Sequence, residues 1–154
     1  MKTIRLTTWI DAPVERCFKL ALSPDLSLAR TRLAGKERGS GPRGVLLALD
    51  DRIAWSGRCF GLHYRYAGRI DACRPFTTFR ETMVEGSFSR FEHEHHFAAM
   101  DDGTRMRDEV RFATPWGLLG TPAELLLQQR LTQIGRASCR QTLQISVVAV
   151  SLKN

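Results

Sequence analysis

A chain of 154 residues, 43% hydrophobic and 25% charged, has the size and apolar share of one globular domain with one core, which excludes a disordered or fibrous chain. Its formal charge of +7 does not mark a nucleic-acid partner: three of the charges are Arg136, Arg140 and Lys153 in the acid-free stretch 134–154, and the rest are scattered, with no helix-turn-helix or RNP-like motif. No apolar run nears the ~20 residues of a membrane span, Arg5 and Asp11 interrupt any secretory apolar region, and Cys17, Cys59, Cys73 and Cys139 form no C-x-x-C pair, so reduced thiols and a cytoplasmic location are expected.

Residues 3–10 alternate, with Ile4, Leu6 and Ile10 on one face, which predicts a strand. Asp11 and Pro13 then mark a helix start, the aspartate as a cap for free N–H groups, and Val14, Cys17, Phe18 and Ala21 follow at helical spacing. Ser23-Pro24 breaks this helix, and a short second one is expected to about Arg30. The glycine- and cation-rich stretch Gly35–Gly44 contains a formal G-x-G-x-x-G at Gly39–Gly44. A dinucleotide site needs a hydrophobic strand before that motif and a helix after it; an apolar stretch and the turn Asp50-Asp51 follow instead, so the match is rejected.

From residue 51 the pattern predicts five consecutive antiparallel strands. The first carries Ile53 and Trp55, the second Leu62, Tyr64, Tyr66 and Ile70, and the others cover about Phe76–Glu85, Phe88–Phe97 and Thr104–Ala113. Short turns without intervening helices indicate a meander rather than βαβ units. After Pro115, Thr121-Pro122-Ala123-Glu124 has the form of a capping box, and Leu125, Leu126, Leu127 and Leu131 follow, which predicts a final helix. The whole is an α+β, helix-grip order: strand, two short helices, meander, long helix.

The stretch Phe88–Phe112 carries the most chemistry. Phe91, His93, His95 and Phe97 share one strand face, and Met106, Asp108, Val110 and Phe112 share a face of the next strand. Asp102-Gly103 is the pair favoured at the centre of a two-residue type I′ hairpin. That turn sets Phe97 opposite Asp108, His95 opposite Val110 and His93 opposite Phe112, with Glu94 facing Arg111 and His96 facing Glu109 outside. Phe88 is out of phase with Phe91, which suggests a bulge near Ser89-Arg90. Phe79, Glu81 and Met83 form the inward set of the preceding strand.

The inward face thus holds four ionisable residues, Glu81, His93, His95 and Asp108. Burial of a carboxylate without a partner is costly, so these groups pair with one another or reach water. Three roles fit: a satisfied core network with His95 or His93 bonded to Asp108; polar anchors for a ligand in an apolar cavity; or acid–base or metal chemistry. For a metal, His93-x-His95 with Asp108 or Glu81 supplies suitable donors. The spacing is common on strands, so no metal ligand is assigned, and no motif requires a cofactor.

These residues carry a family likeness. IDAPVERCF, GRCFGL, VEGSFSRFEHEHHF and DGTRMRDEVRFATPWGLLG together resemble the START-like, or SRPBCC, superfamily, nearest to its bacterial polyketide cyclase/dehydrase-like members. The resemblance covers about residues 3–131, and its specific part runs from Phe91-x-His93-x-His95-x-Phe97 through Gly103-Thr104 and Asp108 to Pro115-x-Gly117. It implies a seven-stranded antiparallel sheet gripping a long C-terminal helix around a hydrophobic cavity, and it places a further strand near Thr31–Arg38. An excess of arginine over lysine, 19 to 4, fits a GC-rich bacterial genome.

The reading favoured by these features is a module that binds a small lipophilic or aromatic molecule without necessarily transforming it. Its cavity is expected to be lined by Trp55, Tyr64, Tyr66, Phe79, Met83, Phe91, Phe97, Met106, Val110 and Phe112, with His93, His95 and Asp108 among the ligand contacts. His95 and Asp108 fix orientation, and the helix leucines form a lid. The rival is a cyclase- or dehydrase-type enzyme in which His95 is the acid–base group, Asp108 orients it and Glu81 is a second proton carrier. A protein-interaction domain without a small ligand is the third class.

The domain is expected to span 1–133. Beyond it, Gly135 interrupts the helix, the β-prone run Ile145–Val150 follows, and Ile134–Arg140 resembles one reading frame of a common sequencing adapter. Residues 134–154 are therefore expected to be a non-native tail from read-through or assembly.

Overall fold

The computed structural model describes residues 1–24, 38–40, 46–59 and 62–113. In chain order the elements are β1 (Lys2–Ile10), α1 (Val14–Ala21), β2 (Arg38–Ser40), β3 (Arg52–Cys59), β4 (Leu62–Arg74), β5 (Thr78–Gly86), β6 (Arg90–Met100) and β7 (Gly103–Ala113). They form one antiparallel sheet in the order β1-β7-β6-β5-β4-β3-β2. Six strands are long and β2, at the edge, has three residues. From β2 onward each strand pairs with the next in sequence; β1 is the exception and docks on β7.

The long strands fall where alternation places them. Of the strand expected near Thr31–Arg38, only Arg38 lies among the described residues; β2 begins there and pairs with Ala54–Ser56. Arg38-Gly39-Ser40 has no apolar alternation to announce it, and Gly39-Ser40, the start of the rejected glycine motif, is part of this strand. The second short helix near Arg30, the capping box at Thr121, the final helix with its leucines and the tail 134–154 all lie outside the described residues. No helix among the described residues is long and apolar enough to cross a membrane.

α1 begins differently from expectation. Its N-cap is Pro13, with φ −58°, and no side chain caps the helix, so Asp11 does not fill that role. The Pro13 carbonyl instead accepts from the backbone N–H groups of Arg16 and Cys17 at 3.0 and 3.1 Å, and proline's fixed φ suits the entry to a helix. Thr104 Oγ1 donates to the Ala12 carbonyl at 2.7 Å, and Cys17 Sγ lies 3.7 Å from the same oxygen. These contacts tie the start of α1 to β7.

The helix buries Cys17, Phe18 and Ala21. Phe18 meets Phe76, Phe79 and Phe97 edge-on, with ring centroids 5.4–5.7 Å apart, the geometry aromatic quadrupoles favour. Around it Ile10, Leu22, Leu47, Ile53, Ile70 and Met106 complete a core between α1 and one face of the sheet. The face of the sheet towards α1 is its inner face.

The β6–β7 hairpin corrects the expected register by two residues. Met100 pairs with Gly103, so Asp101-Asp102 form the turn; Phe97 stands opposite Met106, His95 opposite Asp108, His93 opposite Val110 and Phe91 opposite Phe112. On the outer face Glu92 meets Arg111, Glu94 meets Glu109 and His96 meets Arg107. Gly103 is a glycine for another reason than a central turn position. It has φ +143°, and a Cβ there would collide with the Ile10 carbonyl at the end of β1. Because the shift is even, every side chain keeps its expected face. Phe88 is out of phase because it lies in the bend Ser87–Ser89 between β5 and β6, not in a bulge. The irregularities of the sheet sit on β4 instead, at Ala67/Gly68 and Ile70/Ala72.

Candidate functional site

Two cross-strand rows bring the inward ionisable residues together. One runs Leu6, Asp108, His95, Phe79, and the next runs Ile4, Val110, His93, Glu81, Ile70. His95 Nδ1 is directed at Asp108 Oδ1, and His93 Nε2 lies 3.4 Å from the same oxygen. The two imidazole centroids are 3.9 Å apart. Phe79 stacks on His95 at 4.3 Å and 28°, which fixes the plane of that ring.

The side chains of His95 and Asp108 are buried, whereas His93 keeps 27% of its side-chain surface, so access to the cluster is from the His93 side. Burial by itself would raise the Asp108 carboxyl, but the His95 charge and the hydrogen bonds of both histidines outweigh it and hold the group far below the usual carboxylate range. The carboxylate is therefore ionised and accepts from the rings. With Nδ1–H committed to Asp108, Nε2 is the His95 ring nitrogen not engaged by that carboxylate.

Glu81 joins Tyr66 in a second polar contact. The Tyr66 hydroxyl and Glu81 Oε1 converge over Gly68, where an added Cβ would come within 2.5 Å of both. Burial first, and then the charge and hydrogen bonding of Glu81, push the Tyr66 phenol well above its ordinary value, so the hydroxyl keeps its proton beside the carboxylate. Sequence reasoning missed Gly68. A glycine inside an alternating strand is the available signal, because it marks close approach or a bulge, and Gly68 adjoins a bulge.

The expected apolar lining divides. Phe79, Phe97 and Met106 belong to the core under α1, and Phe112 is fully buried opposite Phe91. Met83, Phe91 and Val110 are half-buried on the inner face, and Phe91 packs edge-on against Tyr66 at 5.1 Å. The side chains of Trp55 and Tyr64 lie outside the described residues. His93, His95, Asp108, Glu81 and Tyr66 are thus brought onto one patch of the inner face, flanked by Met83, Phe91 and Val110.

The outer face of the hairpin is organised separately, around Glu109. Arg5 Nε donates to it at 2.8 Å and Arg111 Nε at 2.7 Å, with Arg107 at 3.5 Å. Hydrogen bonds from Arg5 and Arg111 lower the Glu109 carboxyl to about 2. This clamp explains how Glu94 and Glu109 stand opposite each other, a pairing that like charges otherwise disfavour.

No family model and no curated protein matches the chain. Solved structures do. TTHA0849 from Thermus thermophilus aligns over 97% of this chain and 99% of its own, with 20% identity and a TM-score of 0.75. A START superfamily protein from Mycobacterium smegmatis aligns over 93% of this chain and 98% of its own, with 11% identity and a TM-score of 0.70. Ara h 8.0201 aligns over 93% and 98%, with 17% identity and a TM-score of 0.66. These near-full-length likenesses, joined to the strand order and the position of α1, show that the chain has the START-like, or SRPBCC, fold.

Proposed function

We propose that this protein is a cytoplasmic binding module for a small lipophilic or aromatic molecule, held against the inner face of the sheet under the helix expected after Pro115. The observation that carries the reading is the composition of one inner-face patch: half-buried Met83, Phe91 and Val110 flank a small polar set on an otherwise apolar surface. Ligand sites have this make-up, in which apolar area supplies affinity at ~25 cal/mol per Å² and a few polar groups fix orientation. His93, the most accessible of the cluster, is the group that meets a polar atom of the ligand. An environment-sensitive hydrophobic dye should bind the native chain, and Met83→Trp or Val110→Trp should displace it while leaving the unfolding midpoint near that of the parent. Folded Trp variants that bind the dye unchanged would remove the site from this face.

A second reading draws on the His95–Asp108 pair, since a carboxylate holding one imidazole nitrogen leaves the other poised as an acid–base group. In that case His95 exchanges the proton, Asp108 orients it and Glu81 carries a second proton. Turnover of a polyketide-like substrate that His95→Gln abolishes without loss of binding separates the enzyme from the carrier.

A further inference from the structure

We propose that His93, His95 and Asp108 form a binding site for one divalent transition-metal cation of the zinc class. One ring nitrogen from each of His93 and His95 and a carboxylate oxygen of Asp108 all lie within 4.8 Å of one another. A zinc-class ion sits about 2.0–2.2 Å from nitrogen and carboxylate donors, so donors around it are separated by at most ~4 Å. Small side-chain rotations therefore suffice to seat the ion. The three donors form one cluster, since both imidazoles bring a nitrogen to the same carboxylate oxygen. A cation bound there takes the place of the protons that otherwise link these atoms.

The scaffold holds the donors firmly. His93 and His95 are two residues apart on β6, and Asp108 is the direct cross-strand partner of His95 on β7. The Phe79 stack sets the His95 ring, and Glu81 stands opposite His93 on β5, close enough in register to serve as an outer-sphere carboxylate of the kind that orients metal-bound histidines. Two imidazoles and one carboxylate suit zinc, cobalt, nickel, copper or ferrous iron, and not the all-oxygen preference of magnesium or calcium. Three protein donors also leave positions for water or for an oxygen of a bound molecule. Among the described residues no other group of histidine, cysteine and acidic side chains converges in this way. The site stands on these positions alone and does not depend on the lipophilic-ligand reading.

The test uses the full chain, stripped with a chelator and titrated with cobalt(II) as the spectroscopic stand-in for zinc. One equivalent should produce a visible ligand-field band, which zinc(II) then abolishes by displacement. His93→Gln and Asp108→Asn should each weaken cobalt binding by ~100-fold or more, with the far-UV spectrum of His93→Gln unchanged. If Asp108→Asn does not fold, His93→Gln carries the test, because its side chain is partly exposed. Absence of an inner-sphere band in the parent, or parental affinity in His93→Gln, would overturn the proposal, the latter by placing the ion on other side chains.

Discussion

His95 and Asp108 are direct partners across the β6–β7 ladder, and the imidazole Nδ1 points at the carboxylate Oδ1. The pair is buried, its charge is compensated from two sides, and each member is held by a strand whose register the hairpin sets. Removal of the carboxylate leaves two imidazole nitrogens without their shared acceptor. Asp108→Ala should therefore lower the stability by about 1–3 kcal/mol, the cost of stranding a buried hydrogen-bonding group. Urea unfolding of both forms measures it, and an unchanged midpoint would show that the histidines do not rely on this carboxylate.

Acid should weaken the outer face before neutral pH matters. Arg80 donates twice to Asp71, at 2.9 and 3.0 Å, and Thr82 donates at 2.9 Å. Burial pulls the Asp71 carboxyl upward, but these bonds outweigh it and leave the group below its ordinary value. Glu109 is lowered to about 2 from 4.5 by its arginines. Groups whose folded value is depressed contribute fully above their unfolded value and lose the contribution as pH falls through the folded one. Stability should thus be flat from these residues above about pH 4.5 and decline below it towards pH 2. Glu109→Gln should make the acid limb of a midpoint-against-pH curve shallower; an identical limb in both proteins would refute the linkage.

Two glycines should respond unequally to alanine. At Gly68 the new methyl meets the Tyr66 hydroxyl and the Glu81 carboxylate, which are side-chain ends and can yield. At Gly103 it meets the Ile10 backbone carbonyl with φ at +143°, and neither can adjust. Gly68→Ala is expected to cost about 1–3 kcal/mol by overpacking, and Gly103→Ala more. Thermal unfolding ranks them, and the reverse order would contradict the described contacts.

Phe18 is the centre of the aromatic group under α1, so Phe18→Ala removes three edge-to-face contacts together with the buried ring. A loss of about 3–5 kcal/mol is expected, read from chemical denaturation. A loss below about 1 kcal/mol would mean that α1 is not seated on this face.

Strand identity and the inside–outside assignment of the hairpin were legible because Phe91–Phe97 and Met106–Phe112 alternate cleanly. Register was not, since two candidate turns one residue apart, Asp101-Asp102 and Asp102-Gly103, both preserve that alternation. The choice between them is made by a nonlocal fact, the Ile10 carbonyl against Gly103. The His93, His95 and Asp108 set was readable for the same reason as the faces. The Tyr66–Glu81 contact was hidden because it crosses β4 and β5, where bulges at Ala67/Gly68 and Ile70/Ala72 shift the pairing, and bulges leave little trace in a period-two pattern. Asp11 failed as a cap because Pro13, two residues later, already supplies the helix entry.

The pairing of β1 with β7 has a consequence for how the chain is made. β1 leaves the ribosome before the other strands of this sheet, yet its ladder partner begins at Gly103. Until that strand emerges, Ile4, Leu6 and Ile10 lie along an edge with open backbone groups and nothing to pair with. Emergence at about 5–20 residues per second makes this interval several seconds, during which the edge invites intermolecular pairing. Docking of β1 on β7 is then a late, long-range step, of the kind that slows folding. The Arg5–Glu109 contact, 104 residues apart in sequence, can form only once that step has brought the two strands together.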